Sequence, residues 1–322
     1  MKNKIILLLK LILTSLLLTY IFIKIPFTSI LNAIYSSNLV LILISVLLTI
    51  PVVLLSSFET KYLTSIQKMS ISFKEILKVD LTTGFYSLFL PGVLAGGPVK
   101  WYKFSKYGSK SSAAAVVVYN RYLEILIVIF IGIIFSFPSL ITSYHENLLL
   151  VWFAALILLL ACYLLPLHTN SLTKIEKLFD ILPLPQIIKV KAGSFFNAMH
   201  QFQNLSLEDH LKIIFLMLTY HFISVLSFYA LTKAINISIN IFVLGWIRSV
   251  IMIVTMIPIS ISGFGVREWS LVYLLNFYGI SAGEAVALSF LSYFKNLTAP
   301  IAGGFLELKD FLLIKNKNQT EL

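Results

Sequence analysis

Three arginines are the residues of this sequence whose chemistry is easiest to interpret. Arg121, Arg248 and Arg267 lie inside or at the edge of long apolar segments, whereas lysine supplies the rest of the 25 basic residues. The guanidinium is planar, always charged and suited to carboxylates and phosphates. Such a charge is costly at membrane depth and is rarely placed there without a partner or a function. We therefore expect an anion-binding site among these positions.

The strongest motif is PISISGFGVREWS at 258–270. A proline ends one predicted helix, Gly263 and Gly265 permit a tight turn, and helical periodicity resumes at Arg267. The start of a helix offers free N–H groups and the positive end of its dipole, which favour an anion. Adjacent helical residues do not face each other, so we expect Glu268 to pair with a basic group on another helix. The alternative is a surface turn with a solvated ion pair.

A second glycine-containing motif is LPGVLAGGPVKWYK at 90–103. Gly96 and Gly97 permit close backbone approach, and Lys100 lies next to Trp101, an aromatic residue typical of a membrane interface. This combination predicts a mouth that binds lipid headgroups. The alternative is a lysine that sets topology beside an aromatic anchor.

Further charges lie inside apolar segments. Arg121 and Glu124 are three residues apart on one helical face, so they can partly neutralise each other. They either bind a ligand or only fix the packing of helices. Arg248 lies in a broken segment, and Lys295 lies near the middle of the last span. His221 is more typical of a packed, hydrogen-bonded residue.

Uncompensated charge is the central inference from these residues. The intramembrane charges are four cations and two carboxylates: Arg121, Arg248, Arg267, Lys295, Glu124 and Glu268. The residual +2 is costly in hydrocarbon, so we expect an anionic group such as a lipid phosphate to balance it. Arg267 ranks first for headgroup contact because a helix start and two glycines accompany it. Arg248 is supported as a candidate only by its position in an apolar segment.

The composition indicates what carries these residues. The chain has 322 residues, of which 58% are hydrophobic and 12% are charged. A soluble domain has about 25% charged residues, so we predict an all-α, polytopic membrane protein with a single domain over 1–322. Six segments are long enough for full spans: 5–23, 39–58, 113–136, 148–165, 211–232 and 284–306.

The distribution of lysines orients these spans. Lysines cluster before the first span, after the second and in the tail, whereas 137–147 has none. Both termini are therefore predicted on the cytoplasmic side of the cell membrane. The connection 166–210 is predicted to be cytoplasmic, either as an amphipathic segment on the membrane surface or as a solvated connector. The net charge of +11 then indicates anionic headgroups rather than nucleic acid.

Two apolar stretches, 79–98 and 240–280, are interrupted by glycine and proline. Lysines flank the first on both sides, which favours a re-entrant hairpin from the cytoplasm. The second stretch has to start and end on the outer side of the membrane if the six predicted spans cross it. They bring the number of membrane segments to eight, and two opposed broken segments are typical of an inverted-repeat transporter. The alternative is eight plain spans with kinks.

No catalytic or cofactor motif accompanies these segments. The sequence has no Walker loop, no HExxH and no histidine spacing typical of a metal site. Its single cysteine, Cys162, excludes a disulfide within the chain. We therefore expect no enzymatic activity, no cofactor and no metal.

At its motifs the chain resembles the flippase-like integral membrane family, which includes the transmembrane region of lysylphosphatidylglycerol synthase, also called multiple peptide resistance factor. The matching residues are Pro91, Gly92, Gly96, Gly97, Lys100, Arg121, Pro258, Gly263, Gly265, Arg267 and Glu268. The resemblance covers roughly 5–310, and its last motif is the most specific. Many members have an acidic residue in place of Pro98 or Asn120, and arginine in place of Lys100. The resemblance does not extend to the soluble aminoacyl-transferase domain of the larger synthases, so it implies a stand-alone member without lysyl transfer.

The resemblance implies a transporter-like protein that binds an anionic, phosphate-bearing lipid or lipid-linked precursor and moves it between leaflets. The alternative is a membrane-embedded transferase, or an accessory subunit, that acts on lipid-linked sugars or aminoacyl lipids. A third possibility is a scaffold or lipid-binding protein without turnover. Expected partners are membrane lipids with anionic headgroups, and a second copy of the chain or a membrane enzyme.

Overall fold

The structure is a computed structural model that describes residues 15, 19, 23, 25–89, 96–142, 146–164, 169–181, 185–257, 260 and 263–320. Most of the predicted first span, 5–23, lies outside the described residues. So do Pro91, Gly92 and Pro258 of the two glycine-containing motifs.

The described residues form helices and no strands, which confirms the all-α prediction. In chain order the helices are α1 Phe27–Tyr35, α2 Leu39–Leu47, α3 Thr49–Ile66, α4 Phe73–Phe89, α5 Gly96–Phe104, α6 Lys110–Thr142, α7 Glu146–Leu164, α8 Thr169–Ile181, α9 Gln186–Gln203, α10 Leu207–Ala234, α11 Ile241–Met256, α12 Val266–Asn276 and α13 Ala282–Thr320.

Three helical stretches among the described residues are long and apolar enough to cross a membrane: Leu39–Ile66, Lys110–Pro138 and Leu207–Ala234. They contain the predicted spans 39–58, 113–136 and 211–232, and they support a polytopic membrane protein.

The other two predicted spans that the structure describes are helical as well. Segment 148–165 falls mainly in α7, whose shorter apolar part is Trp152–Leu164. Segment 284–306 falls in α13, which continues through Pro300 to Thr320.

Side-chain caps define where several of these helices begin. The Asn38 carboxamide oxygen accepts from Val40 N at 2.9 Å at the start of α2. At the start of α10, the Ser206 hydroxyl accepts from Asp209 N, and the Asp209 carboxylate accepts in return from Ser206 N at 2.9 Å. Each cap satisfies N–H groups that have no partner within the helix.

Both predicted breaks are present. The first broken segment divides into α4, which ends at Phe89, and α5, which begins at Gly96. The second divides into α11 and α12, and the turn before α12 places Gly263 and Gly265 at φ of 76° and 81°. Only glycine adopts these angles readily, so the two glycines determine where the second break occurs.

The packing of the helices relates the two halves of the chain. Helices α3, α4, α5 and α6 correspond, in this order, to α10, α11, α12 and α13. When each helix is exchanged for its counterpart, the packing of α4 on α13 becomes the packing of α11 on α6, and both contacts are observed. The pairs α3–α6 and α5–α6 likewise become α10–α13 and α12–α13, which are also in contact. Helices α3 and α10 pack on each other, as the exchange requires. This is the arrangement expected for the predicted inverted repeat.

The described residues form two apolar cores. One joins α1 and the four helices from α10 to α13 through residues such as Leu231, Ile247 and Leu271. The other joins α3, α4, α5, α6 and α9 with the first part of α10 through residues such as Leu63 and Ile76. Polar side chains collect where the two halves meet.

Part of the predicted cytoplasmic connection is folded onto the bundle. Helix α9 packs on α6, and the rings of Phe202 and Tyr119 stack with centroids 4.1 Å apart. The Gln67 amide donates to the Ala198 carbonyl at 2.7 Å. Part of the apolar surface of α9 is therefore buried against the bundle, whereas Ile188 and Val190 are exposed, and the placement of 166–210 at the membrane surface or in solvent stays a prediction.

Candidate functional site

A cavity of about 450 Å³ lies between the two halves and is lined by residues of α3, α4, α10, α11, α12 and α13. We call it the first chamber. Three cationic side chains line it: Arg248, Arg267 and Lys295. They come from three different helices, so only the folded chain brings them together. The sequence predicted each as a candidate site residue and counted them in one charge balance, but it gave no basis for placing them in one cavity.

Arg267 is already paired. Its guanidinium donates to the Glu268 carboxylate at 2.6 Å and to the Ser289 hydroxyl at 2.8 Å. The guanidinium also lies over the rings of Phe264 and Tyr293, at 5.3 and 5.0 Å from their centroids. These contacts hold the Arg267 side chain in place and neutralise its charge.

The expectation that Glu268 pairs with a base on another helix is therefore wrong. Glu268 is fully buried, and its other carboxylate oxygen accepts from Gly265 N at 2.6 Å. This bond turns the carboxylate back toward the start of α12, where the long Arg267 side chain reaches it. The start of α12 thus binds an anion supplied by the chain itself.

Among the described residues, Arg248 and Lys295 have no acidic partner within ion-pair distance. Within the part of the chain that the structure describes, no hydrogen bond or ion pair reaches the Arg248 guanidinium. The Lys295 ammonium donates to the Ser227 hydroxyl at 3.0 Å, and no carboxylate of the described residues lies within ion-pair distance of it. The order of candidates from the sequence is thus reversed, with Arg248 and Lys295 ahead of Arg267.

A second chamber of about 370 Å³ shares a wall with the first, including Arg248 and Asn296. Its other polar lining residues are Ser56, Asp80, Asn120, Glu124, Tyr220, His221 and Ser224. The described lining residues of the two chambers do not include Arg121. The Arg121 guanidinium donates to Glu124 at 2.7 Å, and about a third of its side chain is exposed.

Lys100 is paired too. Its ammonium lies 2.8 Å from Asp80 and donates to the Thr60 hydroxyl at 3.1 Å. Gly96, at the start of α5, lies so close to α4 that a methyl group there would meet the Ser87 hydroxyl at 2.6 Å. A methyl group on Gly97 would only touch Val117, at 3.7 Å. Lys100 therefore joins α5 to α3 and α4, and the headgroup mouth at 90–103 stays a prediction.

Two carboxylates in and around the chambers were missing from the sequence prediction. Glu59 lies one residue beyond the predicted span 39–58, but α3 continues past it to Ile66. Asp80 lies near the start of 79–98, a segment that was singled out because glycine and proline interrupt it. The charges in and around the chambers are five cations and four carboxylates: Lys100, Arg121, Arg248, Arg267, Lys295, Glu59, Asp80, Glu124 and Glu268. The predicted residual of +2 is therefore corrected to a formal +1.

An ion-pair cluster at one end of the bundle joins α13 to the first broken segment. Lys103 of α5 lies 2.8 Å from Glu307, which also accepts from the Tyr86 hydroxyl at 2.9 Å. Lys78 of α4 pairs with Asp310. We call these two pairs the latch. No group of three or more His, Cys, Asp or Glu side chains within the described ranges is arranged to hold a metal ion.

Comparison with known proteins gives one match. The family model described as the lysylphosphatidylglycerol synthase TM region matches residues 7–304. No curated protein and no solved structure matches the chain.

Proposed function

The chain belongs to the lysylphosphatidylglycerol synthase TM region family, and on that premise we propose that it binds an anionic, phosphate-bearing lipid or lipid-linked precursor and moves it between leaflets. Membership makes it a membrane protein of lipid metabolism or transport. The proposal adds the charge of the lipid, its translocation, a cell-membrane location with both termini cytoplasmic, and the absence of covalent chemistry.

The observation that carries the proposal is the pair of cations in the first chamber that have no carboxylate partner among the described residues. A buried charge is expensive unless it is paired and hydrogen-bonded. Within the described ranges the Arg248 guanidinium makes no hydrogen bond, and the Lys295 ammonium donates only to a serine hydroxyl. A phosphate between them would accept from both and would balance the charge.

The chamber also suits such a ligand in size and lining. Its volume of about 450 Å³ falls in the range of small-molecule sites. Asn296 lines both chambers next to Arg248 and adds an amide donor. Residues of both broken segments line the chamber, such as Gly84 of α4 and Arg267 of α12. Movement of either segment would therefore change access to the site.

Leaflet exchange in liposomes tests the proposal. We expect wild-type protein to exchange a fluorescent phosphatidylglycerol, and Arg248→Gln to lower the rate by about tenfold or more, the equivalent of one charged hydrogen-bond partner. Lys212→Gln is the matched control. It also removes one positive charge, but its side chain is exposed and paired with Glu208.

Two results would contradict the proposal: phosphatidylglycerol exchange at the wild-type rate in Arg248→Gln, or exchange of a cationic lipid in preference to phosphatidylglycerol. A chemically altered lipid in the extracts would indicate the transferase alternative instead.

A further inference from the structure

Glu59 is a carboxylate whose direct polar partner is an amide rather than a cation. It is fully buried in α3. Both of its oxygens accept from the Asn120 side-chain nitrogen, at 2.9 and 2.7 Å. No ion pair to Glu59 occurs among the residues that the structure describes. A carboxylate at membrane depth with only an amide as partner is a place where a proton can replace the missing cation.

The nearest base to Glu59, Lys100, is paired with another carboxylate. The Lys100 ammonium donates to the hydroxyl of Thr60, the residue after Glu59, and lies 2.8 Å from Asp80. Asp80 in turn accepts from the Ser57 hydroxyl at 2.8 Å. Moving Lys100 to Glu59 would leave Asp80 uncompensated, so this network does not neutralise both carboxylates at once.

The second chamber provides a polar connection to Glu59. Asn120, the partner of Glu59, lines that chamber together with His221. His221 is 2% exposed, and neither of its ring nitrogens has a hydrogen-bond partner in the described part of the chain. Buried polar groups are normally hydrogen-bonded, so the unpaired His221 ring is an unusual polar group in the wall of the chamber. The wall thus carries polar side chains within one side chain of Glu59.

We infer that Glu59, reached through Asn120 from the second chamber, is a proton-binding site whose occupancy is linked to the anionic lipid in the first chamber. The titratable and charged groups that interact with Glu59 electrostatically are Asp80, Lys100, Tyr119, Glu124 and Tyr220, and His221 and Arg248 line the chamber beside its partner Asn120. None of them forms an ion pair with Glu59.

The linkage follows from the charge of the site and rests on the proposed function. With Glu59 ionised, the buried charges amount to a formal +1; with a proton on Glu59 they amount to +2. The protonated state therefore attracts an anionic headgroup more strongly, and by reciprocity a bound headgroup favours the proton. Affinity for the lipid should be higher at lower pH and should fall as Glu59 loses its proton.

The proton itself is detected without any lipid. We expect infrared spectra of the purified full chain at about pH 7, where exposed carboxylic acids are ionised, to contain a carboxylic acid C=O band. The band should be lost in Glu59→Gln and kept in Glu284→Gln, which alters an exposed carboxylate that caps α13 through Ser281. Identical spectra for wild type and Glu59→Gln overturn the proton site.

The linkage is tested by binding of fluorescent phosphatidylglycerol, a diester whose charge is constant, in neutral detergent. We expect wild-type affinity to fall by at least about fivefold between pH 6 and pH 8, and Glu59→Gln to bind equally at both. A pH dependence that survives the substitution overturns the linkage. If the infrared band is present but phosphatidylglycerol does not bind at either pH, the proton site stands and the proposed function fails. If phosphatidylglycerol binds but the infrared spectrum is the same for wild type and Glu59→Gln, the proposed function stands and the proton site fails.

Discussion

At the scale of single residues, the partner of each charge decides what the charge can do. The sequence identified Arg248, Arg267 and Lys295 as candidates, because a charge inside an apolar segment can be recognised without knowing the fold. Their pairing was not visible. Arg267 is neutralised by the residue next to it, whereas Arg248 and Lys295 lie far apart in the sequence and share one chamber.

Charge balance around Glu268 gives a prediction at this scale. Arg267→Gln should lower the free energy of unfolding by about 3 kcal/mol, because it leaves a fully buried carboxylate without its cation. The double variant Arg267→Gln, Glu268→Gln should recover most of the loss, since a neutral amide can still accept from Gly265 N. Equilibrium unfolding in mixed micelles measures all three proteins.

Arg121→Gln serves as the comparison for this prediction. Its ion pair with Glu124 is partly exposed, at 30% and 25%, so we expect a smaller loss of stability. If Arg267→Gln is no more destabilising than Arg121→Gln, the pairing assigned to Glu268 is wrong.

At the scale of helices, two glycines allow the closest contacts between the halves. A methyl group on Gly303 of α13 would lie 2.1 Å from the Leu81 carbonyl oxygen of α4. The related contact of α11 with α6 involves Gly245, where a methyl group would lie 2.0 Å from the Phe135 ring. Backbone cannot move aside without separating the helices, whereas a ring can rotate.

These contacts predict unequal effects of the same substitution. Gly303→Ala should destabilise by about 2–3 kcal/mol and Gly245→Ala by about 1 kcal/mol, measured by unfolding in mixed micelles. Gly193→Ala in α9 is the control, because nothing lies within 4 Å of its new methyl group, and it should be neutral or stabilising. Equal losses for Gly303→Ala and Gly245→Ala would contradict the proposed difference between backbone and ring.

The elements themselves were largely predictable. Hydropathy located the spans that became α2–α3, α6 and α10, and glycine and proline located both breaks. What the sequence missed depends on contacts between distant segments. It did not predict that α9 docks on α6, because an apolar face looks the same whether it meets protein or lipid. It did not include Glu59, because a hydropathy boundary falls at the first charge even when the helix continues.

At the scale of the whole molecule, the predicted orientation leads to a labelling experiment. After Cys162→Ser removes the only cysteine, Ser238→Cys before α11 should react with a membrane-impermeant maleimide on intact cells. Ser70→Cys, in the turn before α4, should react only after the cells are opened. Both serines are exposed, so accessibility depends on the side of the membrane. Labelling of Ser70→Cys on intact cells would overturn the assignment of the 67–72 turn to the cytoplasm.

The exchange of packing partners between the two halves also defines a second conformation. In that conformation α4 would pack on α13 as α11 now packs on α6, and α11 would pack on α6 as α4 now packs on α13. The molecule would then present to one face of the membrane what it now presents to the other. It would need only kinds of contact that it already makes. The latch pairs of Lys103 with Glu307 and Lys78 with Asp310 would then set the relative energy of the two states. Under the proposed function, the direction of net lipid movement would follow the lipid and proton gradients, and the same protein would run in reverse when they are inverted.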